Sequence, residues 1–314
     1  MLNLRLFLTN EKICFPKIQI EDLAFRGGEA FGGTPDGRVL RFYGPKLERS
    51  EQIAQRTTWL LSGAFSPTDG RLYFADPFVG LLSANVSGNQ WLDERIHVHL
   101  NFANQCSLAP DGKIFCSDSH DLNDARFTRM ENFAHSLFAG KPSGRIIVFD
   151  PKTSQSKTLI DGLFCANGIA ISPDNRFAFV GDMMAGTIHK IDLSSGQVER
   201  NWARGLGGYI DNLYADKDGL FVAVVVLKNQ ITDQIFHNKI ARHLITRLPP
   251  QKFGADPGGL LFVPYLKNDA PKNLLRVTNM PAVNSVHPRP DGWVYTTSYM
   301  MEGAIGRIRL EEFK

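Results

Sequence analysis

The stretch ANGIAISPDNRFAFVGDMMAGTIHKIDLSSGQVERNWA, residues 166–203, predicts four successive β-strands. Its apolar runs are rich in Ile, Phe and Val, and residues that favour turns separate them. Asp174-Asn175 supplies the positive-φ position that a tight hairpin requires. We expect the strands at GIAISP (168–173), RFAFVGD (176–182), TIHKIDL (187–193) and QVERNWA (197–203). The stretch therefore predicts an antiparallel sheet with GIAISP as its inner strand.

The first hairpin of this stretch recurs along the chain. It appears as TPDGRVLRF (34–42), SPTDGRLYFAD (66–76), APDGKIFCSD (109–118), SPDNRFAFVGD (172–182), DKDGLFVAVVV (216–226) and RPDGWVYTTSY (289–299). Apart from two longer intervals, the turns are spaced near the roughly 40 residues of a four-stranded propeller blade. We predict an all-β fold, a single six-bladed β-propeller domain over residues 1–314. A β-sandwich with helical excursions is the alternative architecture.

Both long intervals contain apolar residues at helical spacing. The two stretches are DARFTRMENFAHSLF (124–138) and ITDQIFHNKIARHLITRLP (231–249), within inserts at about 121–142 and 228–256. We expect both inserts to cover the mouth of the channel and to present an apolar wall, which favours a hydrophobic substrate. The second insert is also basic, so it either packs against the propeller or lies on an anionic membrane surface.

Composition excludes several classes of protein. The 314 residues are 43% hydrophobic and 21% charged, as in ordinary globular proteins. No apolar run is long enough for an integral membrane span, and the opening residues do not resemble a signal peptide. The net charge of +3, with no basic cluster, does not favour a nucleic acid partner. Nothing in the sequence indicates an oligomeric state.

The four cysteines indicate no zinc site, because they form no CxxC pair and do not cluster with histidine. They are Cys14, Cys106, Cys116 and Cys165. Cys106 and Cys116 flank a predicted turn and can form a disulfide in an oxidising compartment. Reduced cysteines in a cytoplasmic protein are the favoured interpretation, and a secreted or periplasmic location stays open.

One polar position recurs seven residues before each turn aspartate. The six residues at this position are Glu29, Ser62, Asn104, Asn167, Asp211 and Asn284. They should point into one mouth of the channel, because each lies where the chain begins an inner strand. Carboxylate and amide oxygens favour Ca²⁺, with Mg²⁺ and Mn²⁺ as alternatives, over Zn²⁺. The alternative is that these residues cap strands and satisfy backbone groups of the loops.

Several segments resemble the strictosidine synthase-like proteins, six-bladed propellers related to the paraoxonases and to the regucalcin/gluconolactonase group. The most specific segments are ANGIAISPDN and GGYIDNL, and GGEAFGGTPDGRVLRF is also similar. The resemblance implies one central calcium or related divalent ion held by an acid of the first blade and by residues of later blades. Carried over to this sequence, the ligands are Glu29, Asn104, Asn167 and Asp211, with Asn212 as an additional amide.

The sequence also departs from these relatives. Paraoxonases hold a second ion with acids that directly follow two of the ligands, whereas Ala30 and Gln105 stand there in this chain, so a second ion is not expected. The segment TWLLSG has no counterpart of the histidine base proposed for paraoxonases. The segment VNSVHPRPDG lacks the glutamate of strictosidine synthase, so amine–aldehyde condensation is disfavoured.

The predicted site suits metal-assisted hydrolysis of lactones or activated esters, in which the ion polarises the carbonyl and Glu29 or Asp211 activates water. No GxSxG motif supplies a nucleophile. The alternatives are a non-catalytic binding propeller with a structural ion and a strictosidine synthase-like condensing enzyme. Further residues are expected to contact the substrate or to surround the ligands: Ser62, Asp76, Asp118, His120, Asn212 and Asn284. Asp76 is equally suited to capping a turn, and His120 either shuttles a proton or is a solvated loop residue.

Overall fold

The computed structural model describes residues 3–7, 11–15, 18–228, 238, 240–241, 257–265, 273–277, 280, 282–299 and 304–313. In chain order the strands are β1 (Asn3–Phe7), β2 (Glu11–Cys14), β3 (Ala24–Arg26), β4 (Glu29–Gly33), β5 (Arg38–Tyr43), β6 (Arg49–Gln55), β7 (Ser62–Phe65), β8 (Leu72–Asp76), β9 (Gly80–Ser87), β10 (Gln90–His99), β11 (Ala103–Leu108), β12 (Ile114–Asp118), β13 (Gly144–Asp150), β14 (Gln155–Leu163), β15 (Ala166–Ile171), β16 (Phe177–Asp182), β17 (Thr187–Asp192), β18 (Val198–Ala203), β19 (Gly208–Ala215), β20 (Gly219–Leu227), β21 (Pro257–Pro264), β22 (Asn273–Val277), β23 (His287–Pro288), β24 (Trp293–Ser298) and β25 (Ala304–Arg309). An α-helix, α1 (Arg129–Ala139), and a 3₁₀-helix (Leu310–Phe313) accompany them.

These strands form six sheets, which confirms the predicted six-bladed propeller and excludes the sandwich. Blade 1 is β3–β6, blade 2 is β7–β10, blade 3 is β11–β14 and blade 4 is β15–β18. Blade 5 consists of β19–β22 with β1 added, and blade 6 of β23–β25 with β2 added. The first strands of successive blades contact one another, from β3 through β7, β11 and β15 to β19, so they line the axis.

Blade 6 takes its outermost strand from the start of the chain. Strand β2 pairs antiparallel with β25, and β1 runs parallel to β22 at the edge of blade 5. Hydrogen bonds between the two ends of the chain therefore close the ring and cover edges that would otherwise stay unpaired.

Buried apolar side chains fill the space between neighbouring blades. For example, Phe31 of blade 1 packs in one cluster with Phe74 of blade 2, and Val180 of blade 4 with Val148 of blade 3. Comparable clusters join blades 2 and 3, 4 and 5, 5 and 6, and 6 and 1. The alternating β-formers of each strand thus stabilise both faces of each sheet, as stacked sheets require.

Blade 4 has the strand order that its sequence predicts, although its inner strand begins at Ala166, two residues earlier than expected. In its first turn Asn175 has a φ of 58°, and the Asp174 side chain accepts the backbone N–H of Arg176 at 3.1 Å. Blades 2, 3 and 6 turn in the same way, with Gly70, Gly112 and Gly292 at positive φ.

Blade 1 differs in the position of its Asp-Gly turn. The turn at 34–37 joins β4 to β5, the second and third strands, whereas the corresponding turns of the other blades join the first strand to the second. In blade 1 the first two strands are joined by Gly27-Gly28, and Gly27 has a φ of 62°. A two-residue glycine turn is as suitable there as Asp-Gly, so the sequence motif marks a different hairpin in this blade.

The predicted helix of the first insert is confirmed as α1. It begins five residues later than its sequence stretch, because Thr128 caps it and forms a reciprocal capping box with Glu131. Gly140, with a φ of 64°, ends it. The second predicted helical stretch lies almost wholly outside the described residues. No helix within the described ranges is long and apolar enough to cross a membrane.

Cys106 and Cys116 are directly opposite each other on β11 and β12, as their positions around the turn suggest. Both are buried free thiols in this structure, and Cys165 is a third. The disulfide that the sequence left open is therefore not formed.

The inner strands of blades 4 and 5 approach each other closely at Gly168. A Cβ at this position would lie 2.2 Å from the backbone oxygen of Asp211, which belongs to the next blade. We expect Gly168→Ala to lower the free energy of unfolding by about 1–3 kcal/mol, because rigid backbone would have to move. Urea denaturation checks this, with Gly28→Ala as the control, since a Cβ at Gly28 meets no atom within 4 Å. Equal stability of the two variants would contradict the close approach.

Candidate functional site

The inner strands of blades 3, 4 and 5 share an irregularity at one level of the channel. Their pairing with the next strand shifts between Ala103 and Cys106, between Ala166 and Ile169, and between Ile210 and Leu213. A β-bulge turns side chains out of the regular alternation of a strand. The polar residues Asn104, Asn167, Asp211 and Asn212 all lie within these three bulges.

These four residues are buried, and Glu21 joins them from the segment before β3. The Asn212 side chain donates from Nδ2 to Glu21 Oε1 at 3.4 Å. Asn167 is hydrogen-bonded to the Asp211 carboxylate, which also interacts electrostatically with Glu21. Asn104 occupies the position of Asn167 on the neighbouring inner strand. We call Glu21, Asn104, Asn167, Asp211 and Asn212 the axial cluster.

Most members of the axial cluster have an oxygen atom without a hydrogen-bond donor. The unpaired buried atoms are Glu21 Oε2, Asn104 Oδ1, Asn167 Oδ1 and Asn212 Oδ1. Each unmade hydrogen bond costs about 1–3 kcal/mol. Buried carboxylate and amide oxygens without donors are the kind of ligand that a hard divalent cation takes. The residues present therefore fit such an ion.

The donor chemistry of this set is mainly amide. Among the described residues no group of three or more His, Cys, Asp or Glu is arranged to hold a metal ion. The axial cluster has two acids and three amides, a composition suited to Ca²⁺ rather than to Zn²⁺.

The two carboxylates of the axial cluster are held in an environment that disfavours their charge. Burial raises the pKa of Asp211 to about 7, against hydrogen bonds from Asn284 and Asn167 that lower it. Burial also raises the pKa of Glu21 well above its ordinary value, and the nearby carboxylates Asp211 and Asp22 raise it further. A cation would supply the positive charge that this cluster lacks.

Glu29 does not lie in the axial cluster, so its predicted place among the ligands is wrong. It begins β4, its side chain is 31% exposed, and it forms an ion pair with Arg41. The Arg41 guanidinium holds the pKa of Glu29 below its ordinary value. The count of seven residues failed here because the Asp-Gly turn of blade 1 belongs to the second hairpin. In the sequence, the first hairpin of blade 1 is marked by the Glu-Asp pair before β3 and by the Gly-Gly turn after it.

With Glu21 in place of Glu29 as the acid of the first blade, the residue that follows the acid is Asp22 and not Ala30. Asp22 is buried, and its Oδ1 accepts the Leu23 N–H at 2.8 Å and lies 2.6 Å from His287 Nε2. The Ser62 hydroxyl donates to Asp22 Oδ2 at 2.5 Å. Both Asp22 oxygens therefore accept hydrogen bonds from the protein, and Ser62 is one of the donors.

Gln105, which follows Asn104, is also fully engaged. Its Oε1 accepts the backbone N–H of Ile169 at 2.6 Å and that of Leu213 at 3.3 Å, and its Nε2 donates to Leu213 O at 3.2 Å. One buried side chain thus connects the inner strands of blades 3, 4 and 5 directly beside the axial cluster.

Asn284 supports Asp211 instead of offering an oxygen of its own. Its Nδ2 donates to Asp211 Oδ2 at 2.8 Å, while its Oδ1 accepts the Tyr299 N–H at 3.0 Å. Because the amide is held at both ends, it fixes the orientation of the Asp211 carboxylate.

Asp76 and Asp118 end the second strands of blades 2 and 3 and hold the backbone near the site. Asp76 pairs with Arg56 at 2.9 Å and accepts the Phe78 N–H at 2.8 Å, which is the turn-capping role. Asp118 accepts the N–H of Phe102 at 2.9 Å and pairs with Arg145 at 3.0 Å. Both carboxylates have protein partners, so they position loops.

His120 is buried, so the interpretation of it as a solvated loop histidine is wrong. Its ring lies against Phe102 and against Phe133 of α1, with centroids 5.4 and 6.0 Å away. Burial lowers its pKa to about 4.

The apolar side of α1 covers this end of the channel. Phe133 and Leu137 pack against a cluster that includes Cys165 of blade 4 and Tyr209 of blade 5. Met130 and Phe133 contact a second cluster, formed by Trp59, Leu61 and Phe102. The predicted roof over the channel mouth is therefore present for the first insert.

Comparisons with known proteins agree with the resemblance expected from the sequence. Residues 104–195 match the model of the Strictosidine synthase family. Strictosidine synthase-like protein 3 of Arabidopsis thaliana is 26% identical over 73% of this chain and 64% of its own length. Strictosidine synthase-like protein 4 of the same plant is 32% identical over 48% of this chain and 40% of its own length. The chain thus matches less than two thirds of these relatives.

Solved structures share the fold. A gluconolactonase from Xanthomonas campestris superposes with a TM-score of 0.65 at 13% identity, covering 95% of this chain and 89% of that one. Regucalcin from Agrobacterium tumefaciens, described as a calcium-binding protein, has a TM-score of 0.66 at 12% identity, covering 96% and 94%. At such identities the likeness establishes the propeller architecture alone.

The raised pKa values of the two acids predict how stability depends on pH. In protein stripped of divalent ions, protonated Asp211 should contribute stability that is fully present below its unfolded-state pKa, near 3.8, and is lost as pH rises through about 7. The folded state keeps this proton longer than the unfolded chain does. Thermal unfolding between pH 5 and pH 8 measures the effect, and Asp211→Asn should reduce the slope. An unchanged slope in this variant would show that Asp211 is not the responsible group.

Proposed function

We propose that this protein is a divalent-metal-dependent hydrolase of lactones or activated esters, with Ca²⁺ as its preferred ion. The observation that carries the proposal is the axial cluster, which combines unpaired buried oxygens with two carboxylates whose pKa values are raised, on neighbouring inner strands and on the segment before β3. The fold shared with gluconolactonase-type propellers supports this assignment. Mg²⁺ and Mn²⁺ are the alternative ions, and one central ion per chain is expected.

The ion would supply Lewis-acid polarisation of the substrate carbonyl and stabilise the negative charge that develops on its oxygen. The ligands would be Glu21, Asn104, Asn167, Asp211 and Asn212. Asp22 and Gln105 are excluded from this set, because every one of their side-chain oxygens already accepts from the protein.

Asp211 is the residue that moves a proton in the proposed reaction. Its Oδ2 is held by Asn284, so the carboxylate has a fixed orientation. It accepts a proton from the attacking water as the water oxygen bonds to the acyl carbon, and it returns the proton to the alcohol oxygen that leaves. The products are a carboxylic acid and an alcohol, joined in one molecule when the substrate is a lactone.

The walls of the site favour an apolar acyl or aromatic group. Trp59, Phe102 and Phe133 lie beside the channel end, and Tyr299 packs with them. A substrate with a hydrophobic side chain would bury it against these rings.

The chelation experiment distinguishes this enzyme from a binding propeller with a structural ion. We expect hydrolysis of δ-valerolactone and phenyl acetate to be lost when the ion is removed and restored by Ca²⁺, and Asp211→Asn to lower kcat/KM at least a hundredfold. Calcium binding without turnover of either substrate would favour the non-catalytic alternative. Turnover that survives chelation would contradict the proposed mechanism.

A pair of matched variants tests the ligand assignment separately from activity. Glu21→Gln should weaken Ca²⁺ binding at least tenfold in calorimetry, because it removes a ligand charge from the axial cluster. Glu29→Gln removes the same charge from the same blade outside the cluster and should bind Ca²⁺ as the unmodified chain does, at about one equivalent. Equal affinities of the two variants would overturn the assignment of Glu21.

A further inference from the structure

His120 follows a segment that is tied to both neighbouring inner strands. The Ser119 N–H donates to Phe102 O at 2.9 Å, and the Ser119 hydroxyl donates to Ala166 O at 2.7 Å. Phe102 lies two residues before Asn104, and Ala166 directly precedes Asn167. The backbone that carries His120 is thus anchored beside two members of the axial cluster.

A hydrogen bond determines which ring nitrogen of His120 carries the proton. The Leu122 N–H donates to Nδ1 at 3.1 Å, so this nitrogen must have its lone pair free to accept. A neutral imidazole has one N–H, which is then on Nε2. Burial keeps the ring neutral at physiological pH, since it lowers the pKa to about 4. His120 is therefore a hydrogen-bond donor and not a base.

The Nε2 atom is buried and has no hydrogen-bond partner. The ring lies beside the stacked pair of Phe102 and Phe133, whose centroids are 4.3 Å apart, at 5.4 Å from the first and 6.0 Å from the second. An unpartnered buried donor is unfavourable by about 1–3 kcal/mol, and proteins rarely retain one without a role.

We propose that the Nε2–H of His120 donates a hydrogen bond to the carbonyl oxygen of the substrate, which makes His120 a catalytic residue; this inference rests on the proposed hydrolysis. The donor strengthens its bond as negative charge develops on that oxygen, while no proton leaves the ring. Because Phe133 of α1 covers His120, the roof must move outward before an ester or lactone reaches Nε2.

Two substitutions at this position separate the donor from the packing. His120→Phe keeps an aromatic ring against Phe102 and Phe133 but removes the N–H, and should lower kcat for phenyl acetate about 10²–10³-fold with little change in KM. His120→Gln keeps an amide N–H and should recover part of this loss. Ca²⁺ affinity should be unchanged in both. His99→Phe, at an exposed position at the end of β10, is the control and should leave kcat unaltered.

Nitrogen NMR of the calcium-loaded full chain gives a readout that does not depend on turnover. The imidazole signals of His120 should show the Nε2–H form, and δ-valerolactam, an unreactive analogue of the lactone, should shift the Nε2 signal. An Nδ1–H form, an Nε2 signal that does not respond to the lactam, or full activity of His120→Phe would each overturn the inference.

The role of His120 and the proposed hydrolase activity can fail independently in these experiments. If the unmodified chain hydrolyses neither substrate, the hydrolase proposal fails, and the lactam titration alone decides whether Nε2 meets a carbonyl ligand. If His120→Phe fails to fold, as judged by circular dichroism, His120→Gln and the lactam titration decide in its place.

Discussion

Two carboxylates, Glu21 and Asp211, are buried at the axis of the propeller, and the proposed site depends on the cost of placing their charge there. Burial disfavours the charge of both groups, as their raised pKa values record. Around them lie buried amide oxygens that accept no hydrogen bond. In the proposed function a hard cation would supply the missing positive charge and use these oxygens as ligands.

The blades make this concentration of oxygen atoms possible because they are nearly equivalent. Blades 3, 4 and 5 each have a β-bulge at the same level of the channel. The same local irregularity therefore turns polar side chains of three inner strands toward the axis. Gln105 connects the same three strands, and Gly168 lets two of them approach more closely than a side chain would permit. The rigid surroundings hold together groups that would otherwise separate to reach water.

The helix α1 gives the channel end an apolar cover. The helix α1 places Phe133 over His120 and Phe102, so the polar cluster lies beneath an apolar cover. Exclusion of water strengthens electrostatic interactions inside such a space. The arrangement combines a hydrophobic wall with a small polar centre, which is the usual composition of small-molecule sites.

The sequence by itself determined the number of blades, the strand order of blade 4 and three inner positions, Asn104, Asn167 and Asp211, because blades 3, 4 and 5 use one turn chemistry at one spacing. It misplaced the first-blade acid, since the Gly-Gly turn of blade 1 moved the Asp-Gly motif to another hairpin. Only the tertiary structure decided which residues meet across the axis. Asp22 contacts His287 and Gln105 contacts Leu213, and these partners are separated in the chain by 265 and 108 residues. Local patterns specify turns and strands over a few residues, whereas such contacts exist only after the ring has closed.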